Sequence, residues 1–328
     1  MSQERADERS VQEARGRIEP FFREVASVVI GQEHLIRRLV IALLTDGHVL
    51  VEGVPGLAKT LAIRTVSGAL KLSFSRVQFT PDLLPADVIG TQIYNPKETA
   101  FYVKKGPIFA NVVLADEINR APAKVQSALL QAMEERQVTI GEETFPLPRP
   151  FFVLATQNPI EQEGTYVLPE AQLDRFLFKV VVKHLSRHEE LKLIDRHASV
   201  NASRQVQAVL TPEDLAQFRQ VVDSIHIDDR VKGYIVDIVR CTRNPSEYGQ
   251  NFGAWIQNGS SPRGILALVR ASQGEAFLNG RYFVTPSDVQ AVAGDVLAHR
   301  ILISYEAEAE NIDSLMIVEK IVQAIPTP

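Results

Sequence analysis

The 328-residue sequence predicts an α/β domain, a parallel sheet sandwiched by helices, followed by a smaller all-helical domain. Three observations predict it. From about residue 20 to residue 185, short apolar runs alternate with longer stretches of helical spacing, as strands and their covering helices require. The first apolar run ends directly in a glycine-containing loop that opens a helical pattern. Beyond residue 185 the strand signal stops and only helical spacing remains.

In order, buried strands are expected at 48–52, 75–79, 111–115, 151–156 and 178–182. Helical patterns lie between them, notably at 59–70 and 123–134, and alternating residues around Gly141 read as a hairpin over 137–145. Helices are then expected at 186–198, 212–226, 229–241, 262–279 and 286–303. Thr211-Pro212 and Thr285-Pro286 each put a capping Thr before a first-turn proline. Residues 244–261, rich in Gly, Asn and Ser, read as a long loop, and 200–210 as the linker between domains. The division is therefore a polar N-terminal extension at 1–19, an α/β domain at 20–199 and a helical domain at 200–328.

Composition narrows the function classes. A net charge of -5 argues against a nucleic-acid sheath, and nucleic acid is not expected as a partner. The single cysteine, Cys241, excludes an internal disulfide framework and fits a small buried thiol in a reducing compartment. No apolar run approaches the ~20 residues of a membrane helix, and the N-terminus has no apolar signal core. The expectation is a cytoplasmic protein that meets membranes only through partners. His184 and His188 are spaced i,i+4 but lack a third ligand, so a solvated pair is the reading.

Gly53-Val54-Pro55-Gly56-Leu57-Ala58-Lys59-Thr60 follows the first strand and opens a helix. Backbone N–H groups at such a helix start point at phosphate oxygens, and small residues let the chain approach closely. Lys59 is placed to reach the β- and γ-phosphates, and the Thr60 hydroxyl to bind Mg²⁺, with Leu61 continuing the site. Ala58 stands where the general pattern has Gly; the loop is expected to work if its φ stays negative.

The third strand ends in Asp116-Glu117, at the edge where open α/β sheets bind ligands. Taken alone, an acidic helix cap explains the pair equally well. Beside a phosphate loop, Asp116 reads as the Mg²⁺ ligand and Glu117 as the group that polarises an attacking water. The fourth strand ends in Thr156-Gln157-Asn158-Pro159, where Asn158 reads as a polar sensor ordering that water, against the plainer reading of a turn residue before Pro.

The order of phosphate loop, strand-end Asp-Glu, strand-end Asn, Asp174-Arg175-Phe176 and a helical domain with Pro262-Arg263-Gly264 resembles the AAA+ ATPases. Within them the sequence resembles the MoxR family of the helix-2-insert branch. The resemblance rests on residues 53–60, on Phe79-Thr80-Pro81-Asp82-Leu83-Leu84-Pro85, on Leu114-Ala115-Asp116-Glu117-Ile118-Asn119-Arg120-Ala121-Pro122 and on Ala155-Thr156-Gln157-Asn158-Pro159. Residues 168–176, Leu-Pro-Glu-Ala-Gln-Leu-Asp-Arg-Phe, complete it, so that roughly 20–300 is covered in order.

The resemblance implies a P-loop AAA+ core with a five-stranded parallel sheet and a small all-α lid. It implies ATP and Mg²⁺ as cofactors and a ring of identical subunits, read as a hexamer. Arg175 becomes the finger that reaches the neighbouring subunit's ATP, set against a structural Arg pairing with Asp174 or Glu170. Arg263 becomes a second sensor on the lid, Val29, Ile30 and Gly31 the segment against adenine, and Arg120 an interface residue. The stretch 80–90 and the hairpin at 137–145 match the branch's two insertions, where client contacts are sought. The implied work is remodelling of a client protein, with a von Willebrand factor A domain protein as client or adaptor. A chelatase-type motor subunit and an ATP-gated scaffold with little turnover remain as alternatives. A DNA motor would need basic pore loops, and an enhancer-dependent activator would need a Gly-Ala-Phe-Thr-Gly-Ala string that the sequence lacks.

Overall fold

A computed structural model of the chain describes residues 6–54, 56–158, 166–197 and 206–328. It divides into two compact units. The α/β unit comprises residues 19–175 and 180–215, and the helical unit residues 1–18, 176–179 and 216–328.

The sheet strands are β1 (Val49–Glu52), β2 (Phe74–Gln78), β3 (Val112–Asp116) and β4 (Phe152–Gln157) of the α/β unit, and β5 (Phe178–Val181), whose first two residues divide with the helical unit. They lie in the order β2-β3-β4-β1-β5. Pairing is parallel throughout the registers of β2 with β3, β3 with β4 and β4 with β1. Val49, Leu50, Val51 and Val112 to Ala115 are fully buried, as expected for a sheet covered on both faces. Register brings the carboxyl ends together: Glu52 lies opposite Gln157 and Gln78 opposite Asp116. The tip of β4 thus lies between the tips of β1 and β3.

Helices α2 (Glu33–Leu44), α3 (Lys59–Ala69) and α4 (Ala123–Glu135) supply apolar faces to this unit, through Leu39, Ile41, Ile63, Val66, Leu129 and Leu130 among others. The expected hairpin forms from Gln137–Ile140 and Glu143–Pro146. A second hairpin, Gly90–Asn95 with Ala100–Lys105, was not expected as strands. Its Tyr94, Phe101 and Tyr102 are exposed. A Cβ on Gly90, whose φ is 106°, would lie 2.4 Å from the Lys104 carbonyl oxygen, so only glycine fits where this hairpin closes. Residues 200–205 of the expected linker lie outside the described residues. Val209 and Leu210 donate backbone hydrogen bonds to the Ala69 carbonyl at 2.9 and 3.1 Å, so this end of the linker is fixed to the end of α3.

The segment expected as a polar extension is helical: α1 (Glu8–Val28) buries Val11, Ala14, Ile18, Phe21 and Val25 at helical spacing. The sequence reading missed it because charged residues outnumber this narrow apolar stripe. After α5 (Arg187–His197) come α6 (Pro212–Asp223), α7 (Asp229–Cys241), α8 (Pro262–Leu278), α9 (Pro286–Leu297) and α10 (Ser314–Ala324). Both expected caps form as reciprocal boxes, Thr211 with Asp214 and Thr285 with Asp288. The loop expected at 244–261 holds two short 3₁₀ turns and a strand, Ile256–Asn258, that pairs antiparallel with Leu302–Ile303. The helix expected at 286–303 therefore stops at Leu297 and continues as a 3₁₀ turn, Ala298–Arg300.

Candidate active site

The loop between β1 and α3 carries Gly53, Val54, Gly56, Leu57 and Ala58, with Lys59, Thr60 and Leu61 in the first turn of α3. Pro55 lies outside the described residues. The Gly53 N–H donates to the Gln157 carbonyl at 3.3 Å, tying the loop's start to the tip of β4. Gly56 has φ 89° and Ala58 φ 56°, so Ala58 adopts the left-handed region. This corrects the expectation of a negative φ: the bend is made with an alanine in a conformation that suits glycine. No side chain caps α3, and its first turn holds no acid, which leaves the orphan N–H groups for a phosphate.

Lys59 is half-buried, and its Nζ donates to the Gly53 carbonyl at 2.5 Å. Burial lowers the pKa of this ammonium, while the charges of Asp116 and Glu117 oppose that shift. The loop lysine and the acidic pair at the tip of β3 are therefore close enough to interact electrostatically.

Each carboxylate is held by named donors. Thr156 Oγ1 donates to Asp116 Oδ1 at 2.6 Å and accepts from the Glu117 N–H at 2.8 Å, so one hydroxyl of β4 fixes both. Arg76 donates to Asp116 Oδ2 from Nε at 3.1 Å and from Nη2 at 2.7 Å. Gln78 Nε2 and Arg120 Nη1 both donate to Glu117 Oε2, at 2.8 and 3.0 Å. These bonds fall on Oε2 and leave the lone pairs of Oε1 available. Glu117 sits at φ 57°, a conformation that a non-glycine residue adopts only under local constraint.

Arg76, Gln78 and Thr156 were not singled out from the sequence. Arg76 and Gln78 stand two apart on β2, so they share a face, and the register that sets Gln78 opposite Asp116 delivers them to the acidic pair. That period-two polar pair was the available signal.

Behind the pair, residues 118–121 are held by Gln126 of α4. Its buried Nε2 lies 3.2 Å from the Ile118 carbonyl, 3.1 Å from that of Ala121 and 3.2 Å from that of Tyr166. Asn158 is buried at the end of β4, and its backbone carbonyl accepts from Asn119 Nδ2 at 3.4 Å. Pro159, which follows it, lies outside the described residues.

The segment expected at adenine has Val29 buried and Gly31 at φ 65°. A Cβ on Gly31 would meet Leu185 Cδ2 at 2.6 Å and Glu189 Oε1 at 2.9 Å. Gly31 thus lies against Leu185 and Glu189 at the start of α5, two residues that sequence reasoning did not name. Arg175 follows the short helix Glu170–Leu173 and pairs with Glu134 of α4 at 3.0 Å, rather than with Asp174 or Glu170. Its Nε is buried without a hydrogen-bond partner among the described residues. Arg263 is exposed in the first turn of α8, in the helical unit, where its N–H donates to the capping Ser261 Oγ at 3.1 Å.

Thr60 and Asp116 offer a hydroxyl and a carboxylate oxygen, the donor set of a hard divalent cation that keeps most of its waters and takes phosphate oxygens. The bonds from Thr156 and Arg76 leave the Asp116 carboxylate a lone pair for this purpose. Among the described residues no cluster of three or more His, Cys, Asp or Glu is placed to hold a metal ion.

Comparison with known proteins follows the same lines. A family model described as "ATPase family associated with various cellular activities (AAA)" matches residues 48–178, and one described as "AAA lid domain" matches residues 254–321. Chaperone MoxR1 of Mycobacterium tuberculosis is 45% identical over 306 residues, 93% of this chain and 81% of that protein. Protein YeaC of Bacillus subtilis, named as uncharacterized, is 45% identical, covering 92% of each chain. Protein MoxR of Methylorubrum extorquens is 31% identical over 94% of each. A crystal structure from Cytophaga hutchinsonii, described as a candidate ATPase, superposes with a TM-score of 0.92 at 48% identity over 98% of both chains. With its parallel five-stranded sheet, its phosphate loop and its helical lid, the chain belongs to the MoxR family of AAA+ ATPases and is an ATP hydrolase of that family.

Proposed function

We propose that the chain hydrolyses MgATP at a site shared between two copies of itself and uses the cycle to remodel a client protein. The observation that carries the reading is the meeting of Lys59, Asp116 and Glu117 at the sheet's carboxyl edge, with Thr156 holding both acids. The α/β unit, taken as 20–199, binds the nucleotide, and the helical lid, taken as 200–328, closes over it.

In this reading the N–H groups of residues 53–61 cradle the phosphates and Lys59 contacts the β- and γ-oxygens. Thr60 and Asp116 hold Mg²⁺, which when bound neutralises charge on the transferring phosphoryl group. Glu117 Oε1 orients the attacking water and takes its proton, while Asn158 fixes that water from β4. Val29, Ile30 and Gly31 pack on the adenine, and Arg263 brings the lid to the γ-phosphate.

Arg175 acts on the ATP of the adjacent copy. To do so it must leave Glu134, whose side chain is 46% exposed. Such a pair contributes at most about 1 kcal/mol. An arginine finger can supply ~10³–10⁵ in rate, roughly 4–7 kcal/mol at the transition state. The exchange therefore favours the finger. A closed ring, proposed as a hexamer, is the assembly in which every site gains one. The name of the Mycobacterium relative, a chaperone, supports client remodelling; a von Willebrand factor A domain protein as client or adaptor, and the cytoplasm as the place of work, are part of the proposal.

The test separates binding from chemistry. Lys59→Ala is expected to lose both ATP binding and hydrolysis, and Glu117→Gln to retain binding while hydrolysis falls at least about 10²-fold. A Glu117→Gln protein that turns over at the wild-type rate would remove Glu117 from the mechanism and revive a scaffold with little chemistry.

A further inference from the structure

The stretch 176–179, which continues the chain from Arg175, packs within the helical unit. There the Arg300 guanidinium meets it. Nη2 of Arg300 donates to the Phe176 carbonyl at 2.7 Å, and Nη1 lies 3.3 Å from the Leu177 carbonyl and also reaches that of Val296. Nη1 is in addition 2.7 Å from Nε2 of His299. Both residues belong to the 3₁₀ turn Ala298–Arg300 that ends α9.

A guanidinium only donates, and Nη1 has two protons for three acceptors, the Leu177 and Val296 carbonyls and Nε2 of His299; where it donates to Nε2, that nitrogen is the acceptor and the ring is neutral. The Phe176 carbonyl, 3.1 Å from the same Nε2, then takes its proton from Arg300. Burial, joined by the neighbouring Arg300 charge, pushes the imidazole pKa well below its usual value, which agrees with a neutral ring. His299 thus buttresses a cation whose work is to hold two successive peptide carbonyls.

Those carbonyls are the first two after Arg175. On its other side, Arg175 donates its N–H to the Gln172 carbonyl at 3.3 Å. Consecutive Cα atoms are a fixed ~3.8 Å apart, so Arg175 is held one peptide away from the clamped pair. Phe176 is fully buried, which keeps the pair from taking up a shift by side-chain rearrangement.

We propose that Arg300, backed by His299, is a positioning residue for Arg175: the end of α9 sets where the finger can reach in the adjacent copy's site. The inference rests on the trans-acting role of Arg175 proposed above. Reorienting α9 by nucleotide or client would then alter hydrolysis in the neighbouring copy, not in the copy to which the helix belongs.

Complementation between full-length variants tests this. Arg300→Ala and the milder Arg300→Gln are each assayed alone and in equal mixtures with Lys59→Ala or with Arg175→Ala. Each Arg300 variant alone is expected to keep its ATP affinity while kcat falls about 10²-fold, the cost of an ångström-scale misplacement. Mixing with Lys59→Ala, which supplies an intact finger, should restore activity; mixing with Arg175→Ala, which supplies none, should not. Restoration by Arg175→Ala would place the defect in the variant's own site and overturn the proposal, as would an unchanged kcat for both variants. If Arg300→Ala fails to fold, the same pattern is read from Arg300→Gln. Failure of the Lys59→Ala and Arg175→Ala mixture would sink the shared-site reading itself. Success of that control, with no rescue of the Arg300 variants by Lys59→Ala, would sink this inference alone.

Discussion

Replacing Ala58 by glycine should stabilise the protein, and the direction follows from one backbone angle. Ala58 caps α3 at φ 56° and ψ 20°. An L-residue in this left-handed region costs about 1–2 kcal/mol, a penalty that glycine escapes. Against this, glycine adds freedom to the unfolded chain, a loss of ~0.4–1 kcal/mol. The Ala58 methyl group is exposed, so deleting it removes little buried apolar area. Relief of strain exceeds entropy, and Ala58→Gly should gain roughly 0.5–1 kcal/mol. Taking a urea m-value of about 2 kcal/mol/M, the unfolding midpoint should rise by ~0.3–0.5 M with the slope unchanged. Ala58→Val should move it the other way, because a β-branched residue tolerates positive φ poorly. A lower midpoint for Ala58→Gly would mean that entropy is the only term and that the loop does not hold Ala58 in the left-handed region.

Three further outcomes are expected. Gln126→Leu should destabilise by about 2 kcal/mol, because two amide protons shared among the carbonyls of Ile118, Ala121 and Tyr166 are lost, partly offset by removing the unpaired Oε1; a loss under about 0.5 kcal/mol in denaturant unfolding would show that the carbonyls find other partners. His299 is held neutral in the fold, so the unfolded chain binds the extra proton as pH drops below 6.5. Stability should therefore fall with pH there, by up to about 1.4 kcal/mol per unit, and His299→Gln should flatten that part of the profile; an unchanged slope would contradict the buried neutral ring. Burial pushes the Cys241 thiol up to about 11, and a thiol reagent at neutral pH should reach it only on unfolding; fast labelling of the native protein would contradict its burial.

What was legible in the sequence was whatever is buried on both faces or fixed by short-range chemistry. Strands β1, β3 and β4 are apolar runs because they are buried on both faces, and the phosphate loop and the Asp116-Glu117 pair stand at strand ends where spacing alone places them. The features missed have no such signature. The hairpin formed by Gly90–Asn95 and Ala100–Lys105 is exposed on both faces, so no alternation marks it. Arg76 and Gln78 sit on the sheet's edge strand, where polar residues look like a solvated face until register sets them beside Asp116. The partner of Arg175 was sought among its chain neighbours, whereas Glu134 is brought to it by the packing of α4. The α1 helix was hidden by its charge, although its five buried residues keep helical spacing.

The central claim is that one copy's Arg175 completes another copy's site, and mixing two inactive variants tests it most directly. Lys59→Ala and Arg175→Ala should each be nearly inactive, since each lacks one half of the composite site. Combined in equal amounts, they should regain ATP hydrolysis, and the wild-type rate per subunit should rise with protein concentration as copies assemble. A mixture that stays inactive, together with a wild-type protein that hydrolyses ATP at full rate while sedimenting as a monomer, would contradict the claim.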